Sequence, residues 1–161
     1  MVGVDVHRWD YTQRISNSPA NINQPVNRIG MRQHNDAWYV QNTTRFSAAT
    51  SLLAGFRNER VSMSGTHVYD GAAPGALFGS AAAAGSFAAS KSAHELGLRH
   101  QLDSCLALNG KIGRSFRFAN VDEIYVFSNV GTHQFQFLHP QTVAGRELWL
   151  DQKSHSGSWR A

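Results

Sequence analysis

Apolar and polar positions change their spacing several times along the chain, and each change predicts a different element. The apolar run Trp38 to Val40, followed by polar residues 41–44, predicts a short strand. Ser47 then suits the N-cap of a helix that carries an apolar stripe, and Gly55 suits its end. This stretch is therefore predicted to be a strand that runs into a short helix.

The middle of the chain has less decisive spacing. Val61 to Tyr69 places three hydroxyl side chains on one face, which is consistent with a second strand. Turn residues follow from Asp70 to Gly75. Residues 72–89 form a tract of Ala, Gly and Ser that leaves a helix and a close-packed loop both open.

The clearest local signal is a helix start. Ser92 and Glu95 stand three residues apart, as in a capping box whose two side chains bond each other's backbone donors. The spacing of the next apolar residues predicts a helix up to Leu108, with Cys105 as a buried structural thiol. Its predicted apolar stripe consists of Leu98, Leu102, Cys105 and Leu106.

The last third alternates like strands. Ser115 to Phe118 and Leu148 to Leu150 predict strands, and the apolar run Ile124 to Phe127 predicts a central one. In Gln134 to Leu138 the two Phe residues face one way and the two Gln residues the other. A strand, two helices and then several strands predict an α+β fold.

Composition limits the domain organisation and the location. A length of 161 residues suits one domain, predicted at residues 37–161, behind an irregular N-terminal arm at 1–36 that is rich in polar residues. No apolar run is long enough for a membrane helix, and the N-terminus has no apolar signal core. We therefore expect no membrane partner, and a protein that is either cytoplasmic or secreted by a specialised system.

Charge and candidate ligands exclude several functions. The net charge of +4 is compatible with a nucleic-acid partner. The Arg residues are scattered, however, so such a partner is not favoured. The eight His residues show no spacing that converges on a metal, so we expect no metal site. No serine lies in a nucleophile elbow, which argues against a hydrolase.

Two segments resemble the opening motifs of ADP-ribosyltransferases, the toxin and effector family that cleaves NAD. Arg45 matches the second Arg of the family's first strand, and Gly55-Phe56 matches the Gly-Phe after its helix. Gln41 stands where the family has its first Arg. Ser86 to Ser92 is similar in shape to the Ser-Thr-Ser element, with Ser90 and Ser92 as candidate hydroxyls.

A third segment looks like the family's acidic strand. Gln134 and Gln136 stand where the family carries its Glu residues, shortly before Pro140, so both acids are replaced by amides. The three segments follow in the family's order. The resemblance implies an ADP-ribosyltransferase-like split sheet with short flanking helices.

The resemblance also implies a ligand and a cofactor site. NAD would act as substrate, held between residues 41–45 and the strand at 134–136. Arg45 would bind the pyrophosphate, as an Arg at a helix start can, and Gln41 and Ser90 would complete the cofactor site.

The catalytic roles follow from the same resemblance. Cleaving the nicotinamide–ribose bond develops positive charge on the sugar, which a carboxylate stabilises. Gln134 and Gln136 would bond the ribose without charge, and Glu147 or Glu123 would be the nearby acids. An enzyme of this kind would be weak or inactive.

Three functions therefore stay open. The first is a secreted effector or toxin domain that modifies a target protein or other macromolecule by mono-ADP-ribosylation. The second is a non-enzymatic binding protein on this fold or another α+β fold, which the missing carboxylates favour. The third is an RNase-type toxin that uses His and Arg, for which no motif marks a site.

Overall fold

One antiparallel sheet dominates the molecule. The computed structural model describes residues 1–127, 133–154 and 157–160. A seven-stranded sheet contains β1 (Val2–Ile15), β2 (Asn27–Arg45), β3 (Thr50–Tyr69), β4 (Ala81–Gln101), β5 (Leu106–Arg117), β8 (Gln141–Ser154) and β9 (Gly157–Arg160). A separate pair consists of β6 (Tyr125–Phe127) and β7 (His133–Phe135).

Helical structure in the described ranges is confined to two single turns. They are a 3-10 turn at Pro19–Asn21 and the helix α1 at Val121–Ile124. Within the part of the chain that the structure describes, no helix is long and apolar enough to cross a membrane.

The large sheet is a meander. Its strand order is β1-β2-β3-β4-β5-β8-β9, so strands pair with their neighbours in the chain, and only the 118–140 segment intervenes between β5 and β8. The register is continuous: Trp38 pairs with Asn58, Asn58 with Ser92, and Leu96 with Ile112. Because paired residues share a face, the register brings distant residues onto one surface.

Connections differ in length between the two ends of the sheet. At one end, four residues at 46–49 and four at 102–105 join the strands. Side chains fix both turns: Asp103 Oδ1 accepts hydrogen bonds from the N–H of Cys105 at 2.7 Å and of Leu106 at 2.8 Å, and Ser47 Oγ accepts from the N–H of Thr50 at 3.1 Å. At the other end the connections are residues 16–26, 70–80 and 118–140. We call these the short-turn end and the long-loop end.

The sheet has two chemically distinct faces. In β3, Val61 and Met63 are buried, whereas Ser62 and Ser64 are exposed. The same alternation runs through β4. Odd-numbered residues of β1–β5 and β8 form the inner face, and even-numbered residues form the outer face.

An apolar core lies on the inner face near the long-loop end. Its fully buried residues are Ile29, Met31, Val61, Met63 and Ile124. The segment after β5 folds over this face, and the Phe137 ring stacks on Phe87 with centroids 5.7 Å apart. Gly65 leaves room for this segment, because a Cβ there would lie 2.5 Å from the Phe135 ring.

A bidentate ion pair holds the start of the same segment. Arg117 Nη2 lies 2.8 Å from Glu123 Oε1, and Arg117 Nη1 donates to Oε2 at 3.1 Å. The Asn120 N–H also donates to this carboxylate at 2.8 Å. The hydrogen bonds from Arg117 and then from Asn120 lower the pKa of Glu123 below its ordinary value.

Both helices predicted from the sequence are wrong, and with them the α+β class. The range 47–55 forms a turn and the start of β3, and the range 92–108 contains the end of β4, a turn and the start of β5. The expected capping box is not formed: Ser92 Oγ accepts from Asn58 Nδ2 at 2.9 Å, and Glu95 binds Lys111. Pairing with neighbouring strands satisfies the backbone groups that would otherwise have formed hydrogen bonds within a helix. Cys105 is exposed in a turn and is not a buried helical thiol.

The N-terminal prediction also differs from the structure. The range 1–36, predicted to be irregular, contains β1 and the first part of β2, and β2 runs through the expected boundary at residue 36. The strand predicted to be central at 124–127 instead lies outside the large sheet and, among the described residues, pairs with β7. The strands predicted at 38–40, 61–69 and 148–150 lie within β2, β3 and β8.

Candidate functional site

The outer face carries a continuous apolar band near the short-turn end. Leu98 is 49 %, Ile112 53 % and Leu148 76 % exposed. We define the apolar band as Val2, Val4, Val6, Trp38, Val40, Leu52, Ala54, Phe56, Leu96, Leu98, Leu106, Leu108, Ile112, Leu148 and Leu150. An apolar surface that crosses six strands is larger than the scattered apolar residues of an ordinary water-exposed face.

The upper edge of the apolar band, nearest the long-loop end, slopes across the sheet. The edge descends towards the short-turn end from Val6 on β1 to Leu148 on β8. There are five intervals between neighbouring strands on this path, and at four of them the edge moves by two residues. Each two-residue step is about 6.7 Å along a strand, and neighbouring strands lie about 4.8 Å apart. Four such steps over five strand spacings mean that the band is level only if the strands are tilted by roughly 45–50°. Transmembrane β-strands have a tilt of about 45°.

The strands extend well beyond the apolar band. β3 has 20 residues and β4 has 21, whereas a membrane-spanning strand needs about 9–11. Past the upper edge, the outer-face side chains of these strands are small and many carry a hydroxyl group, as at Ser62, Ser64 and Ala88. The long-loop half of the sheet therefore presents a polar outer face.

Aromatic rings mark the upper edge. The Trp38 and Phe56 rings lie on the outer faces of β2 and β3, with centroids 5.2 Å apart. Amphipathic aromatic rings concentrate at the boundary between hydrocarbon and headgroups. Trp38 has this amphipathic character, and the apolar Phe56 ring packs beside it.

The inner face behind the apolar band is polar and lines an open cavity. The cavity has a volume of about 610 Å³ and extends from β1 to β8. Its polar lining includes Asp5, Gln41, Arg57, Glu95, Lys111 and Glu147. An apolar exterior over a polar interior is the arrangement of a membrane-embedded β-barrel wall.

Glu95 is the centre of the first polar cluster in the cavity. Its Oε2 lies 2.8 Å from Lys111 Nζ, and its Oε1 accepts from Gln41 Nε2 at 3.2 Å. Gly55 makes space for this side chain, since a Cβ there would approach Glu95 Cγ to 2.9 Å. The cluster links β2, β4 and β5.

Arg57 is the centre of the second cluster. Its Nη1 lies 2.6 Å from Asp5 Oδ2, and its Nη2 lies 2.9 Å from Glu59 Oε2. Asn35 Nδ2 donates to the other oxygen of Glu59 at 2.7 Å. This cluster links β1, β2 and β3.

A third cluster continues across the sheet. Arg99 Nη1 lies 2.8 Å from Asp151 Oδ2, and Asn109 Nδ2 donates to the same oxygen at 3.0 Å. The cluster links β4, β5 and β8. Three of the inner-face cations, Arg57, Arg99 and Lys111, thus each have a carboxylate partner on the same face.

The residues predicted for an NAD site are dispersed. Gln41 and Glu147 line the inner cavity. Ser90 lies on the outer face, where its Oγ donates to the Glu59 carbonyl at 3.3 Å. Arg45 ends β2 at the short-turn end, and Gln134 pairs with Val126 in the small sheet.

Arg45 and Gln136 lie at opposite ends of the large sheet. Arg45 pairs with Ser51, whereas Phe135, next to Gln136, lies over Gly65 in the same strand. Fourteen residues of β3 separate these positions, or roughly 46 Å at ~3.3 Å per residue. The expected cleft between residues 41–45 and 134–136 is not formed, because the intervening chain is an extended sheet.

The comparisons with known proteins agree with this geometry. A family model described as the β-barrel of TonB dependent receptor-like proteins matches residues 2–151. No curated protein and no solved structure is similar enough to this chain to count as a match.

The family match overturns several expectations. The resemblance to ADP-ribosyltransferases is wrong, as are the effector or toxin function, the absence of a membrane partner and the secreted or cytoplasmic location. NAD as a ligand stays an untested prediction. No group of three or more metal-binding side chains occurs among the described residues.

The apolar band was missed although the sequence contains a signal for it. Val2, Val4 and Val6 alternate with Gly3 and Asp5, which is the period of a strand with one apolar face. Leu96 and Leu98 repeat this period at the end of β4. Reading these residues as an irregular arm and a helix concealed the outer face.

Proposed function

Because the chain belongs to the family of TonB dependent receptor-like β-barrels, we propose that its large sheet is part of the wall of an outer-membrane receptor. The apolar band contacts the hydrocarbon of the bilayer. The inner face and its charged clusters line the lumen. The protein's role is the binding and uptake of a ligand, with TonB as the coupling partner that the family's description names.

The connections orient the wall in the membrane. Outer-membrane barrels have short periplasmic turns and longer extracellular loops. The short-turn end, with residues 46–49 and 102–105, therefore faces the periplasm. The long-loop end, with residues 16–26, 70–80 and 118–140, faces the exterior and is where a ligand first contacts the receptor.

The polar lumen is suited to contacts with a polar ligand or with a domain inside the barrel. Large outer-membrane transporter barrels contain a plug in their lumen. Asp5, Glu95 and Glu147 provide acceptors along the cavity wall, and Arg57 and Lys111 provide donors. Because Asp5 bonds Arg57 and Glu95 bonds Lys111 across strands, these groups also keep the wall rigid.

One observation supports the membrane placement above the others. The outer apolar band is level only if the strands are tilted by the angle typical of transmembrane strands. A chance apolar patch on a water-exposed sheet has no reason to follow that slope. The positions of the apolar residues in the sequence and the hydrogen-bond register of the strands are independent features, and together they give the tilt of a transmembrane strand.

A pair of substitutions on one strand tests the placement. We expect Leu98→Arg to destabilise the protein in bilayers by about 1–3 kcal/mol, because a charge on the lipid face costs about 2–4 kcal/mol at the midplane and less towards the edges, and Leu98 is the last residue of the apolar band on β4. Ala88→Arg is the control: it lies on the outer face of the same strand, ten residues away and beyond the apolar band. Its expected effect is within about 0.5 kcal/mol.

The measurement is denaturant unfolding of the chain reconstituted in phosphatidylcholine vesicles, followed by tryptophan fluorescence. Equal effects of the two substitutions would contradict the membrane placement. So would a wild-type chain that stays in solution when the vesicles are floated on a density gradient.

A further inference from the structure

A long stretch of β4 is paired on one side only. β4 pairs with β3 over nearly all of its length, but its ladder with β5 begins only at the pair of His94 and Arg114. Beyond that pair, β5 continues to Arg117 next to β8 without pairing with β4. Among the described residues, none forms a backbone ladder with this side of β4 at 81–93, a length of about 40 Å at ~3.3 Å per residue. We call this stretch the open edge.

The backbone of the open edge directs donors and acceptors away from β3. In an antiparallel sheet, both polar groups of one residue point to one neighbouring strand, and those of the next residue point to the other. The Gln101 N–H donates to the Ala49 carbonyl on the β3 side at 2.7 Å. The following N–H, of Leu102, donates to the Leu106 carbonyl on the β5 side at 2.9 Å. Because the register with β3 is continuous, the even-numbered residues of 82–92 direct both backbone groups towards the open side, and all of them are exposed.

The open edge lacks the features that protect natural strand edges. Such edges are usually interrupted by a proline or a bulge, or carry several charged side chains. The open edge contains no proline, only Lys91 is charged, and the register with β3 has no bulge. Its side chains are mostly those of Ala, Gly and Ser, so they do not obstruct a strand that approaches the backbone. An edge of this kind is a template for pairing with another extended segment.

The open edge lies outside the apolar band. On β4, the band residue nearest the long-loop end is Leu96, and the open edge begins beyond it at Ala93. Unpaired backbone groups are not found in the hydrocarbon of a bilayer, so this position is consistent with the membrane placement. In that placement the open edge faces water on the exterior side, where a ligand has access to it.

Two cations flank the lower end of the open edge, where β4 meets β5. Lys91 lies on the inner face and Arg114 on the outer face. Lys91 stands opposite Glu59, but that carboxylate bonds Arg57 and Asn35. Within the described ranges, neither Lys91 nor Arg114 forms an ion pair or a side-chain hydrogen bond. Two consecutive acidic side chains of an added strand point to opposite faces, so they can reach both cations.

We infer that the open edge binds an extended, acidic segment of a polypeptide ligand, which is added to the sheet as a further strand. The added strand runs antiparallel to β4 and continues the ladder that β5 begins, with main-chain hydrogen bonds to the even-numbered residues of 82–90. Its first residues are acidic and contact Lys91 and Arg114. The inference rests on the receptor function proposed above and names a class of ligand for the exterior side.

The first test compares two peptides on the wild-type chain in phosphatidylcholine vesicles. The first is a fluorescent, acetylated peptide of the length of residues 82–90 that begins with two glutamates and continues with alternating valine and threonine. The second also has N-methyl groups on two consecutive central residues, which remove one donor from each edge of the peptide. We expect the second peptide to bind roughly tenfold more weakly in fluorescence anisotropy titrations, because each lost hydrogen bond leaves its partner unsatisfied.

A pair of substitutions tests the same contact from the side of the protein. Ala88→Pro removes a backbone donor from the middle of the open edge, and the ladder with β3 keeps its bonds because Ala88 points its N–H to the open side. We expect this variant to bind the first peptide roughly tenfold more weakly. Ala88→Val is the matched control: it keeps the N–H, and its expected effect is less than about twofold.

A second pair of variants tests the charge of the ligand. Lys91→Gln/Arg114→Gln is expected to weaken binding of the first peptide roughly fivefold, since exposed ion pairs contribute on this scale. Arg14→Gln/Arg28→Gln removes the same charge from exposed residues of β1 and β2, away from the open edge. Its expected effect is less than about twofold, because salt screens charges at that distance.

The outcomes separate the two proposals. If the wild-type chain floats with the vesicles but binds both peptides equally, the edge inference is overturned and the membrane placement stands. Equal binding by Ala88→Pro and Ala88→Val overturns it too, as does equal binding of a peptide with glutamines in place of its glutamates. Peptide binding that falls as the protein density in the vesicles rises would show that a second copy of the chain occupies the edge in place of a ligand. A wild-type chain that does not float contradicts both proposals.

Discussion

The charged side chains in the inner clusters bond partners on other strands of the sheet. Arg57 contacts two carboxylates, and Glu59 is mostly buried, with 13 % of its side chain exposed. Removing one member of such a cluster leaves the other without its bond in a partly desolvated position. The polar side chains of the inner face are therefore held in place by their bonds to one another.

Arg57, which pairs with two carboxylates, provides a direct test. We expect Arg57→Gln to lower the free energy of unfolding by about 1–3 kcal/mol, because hydrogen bonds to charged groups contribute on this scale. Arg14→Gln, on an exposed outer position, is the control and is expected to change it by less than about 0.5 kcal/mol. Denaturant unfolding in vesicles measures both, and a loss that is no larger for Arg57 than for Arg14 would show that the cluster is not stabilising.

At the scale of elements, the long strands change their apolar side along their length. In β3, the apolar residues Leu52, Ala54 and Phe56 lie on the outer face, with Leu53 as the inner-face exception, whereas Val61 and Met63 lie on the inner face. β2 and β4 switch in the same way between their core half and their band half. In the proposed membrane placement, the switch occurs where the outer environment changes from lipid to water.

Local patterns explain how much of the fold was predictable. The strands at 61–69 and 38–40 each lie on one side of the switch, and the first shows period-two alternation whereas the second is a short apolar run. The ranges 47–55 and 92–108 were predicted wrongly because each includes part of a turn between two strands, and apolar residues that continue from a turn into a strand have spacings of three and four that resemble those of a helix. Pairing with β3 and β5 then decides the structure of β4, and no local pattern in an Ala-rich segment contains that information.

The candidate site was less predictable than the strands. Period-two alternation shows that a strand has an apolar face, but it does not show whether that face contacts a core or lipid. Leu96 and Leu98 have the same spacing in either case. The slope of the band, which distinguishes the two, depends on the register of six strands and is absent from any single segment.

The segment that covers the inner face gives a prediction for an element. We expect Gly65→Val to destabilise the protein by about 1–3 kcal/mol, since the new side chain occupies the space of the Phe135 ring. The segment should then become sensitive to chymotrypsin at Phe135. Gly145→Val is the control, because a Cβ at this inner-face strand position meets nothing within 4 Å. Equal sensitivity of the two variants would contradict the packing of this segment.

At the scale of the whole molecule, the tilt of the sheet can be measured directly. In oriented bilayers, the dichroism of the amide I infrared bands reports the angle between strands and the membrane normal. We expect roughly 45–50°, from the slope of the apolar band and the strand spacings. An angle below about 20° would show that the apolar band does not lie level in the membrane, since transmembrane strands have tilts of about 35–45°.

The unequal connections at the two ends of the sheet have a consequence for how such a protein changes over generations. Turns of four residues at 46–49 and 102–105 fix the register of their hairpins, so an insertion there shifts the faces of whole strands. Doubling the length of the 70–80 connection, in contrast, adds only about 0.6 kcal/mol of closure entropy. New recognition segments can therefore be acquired at the exterior end while the membrane-spanning part stays unchanged.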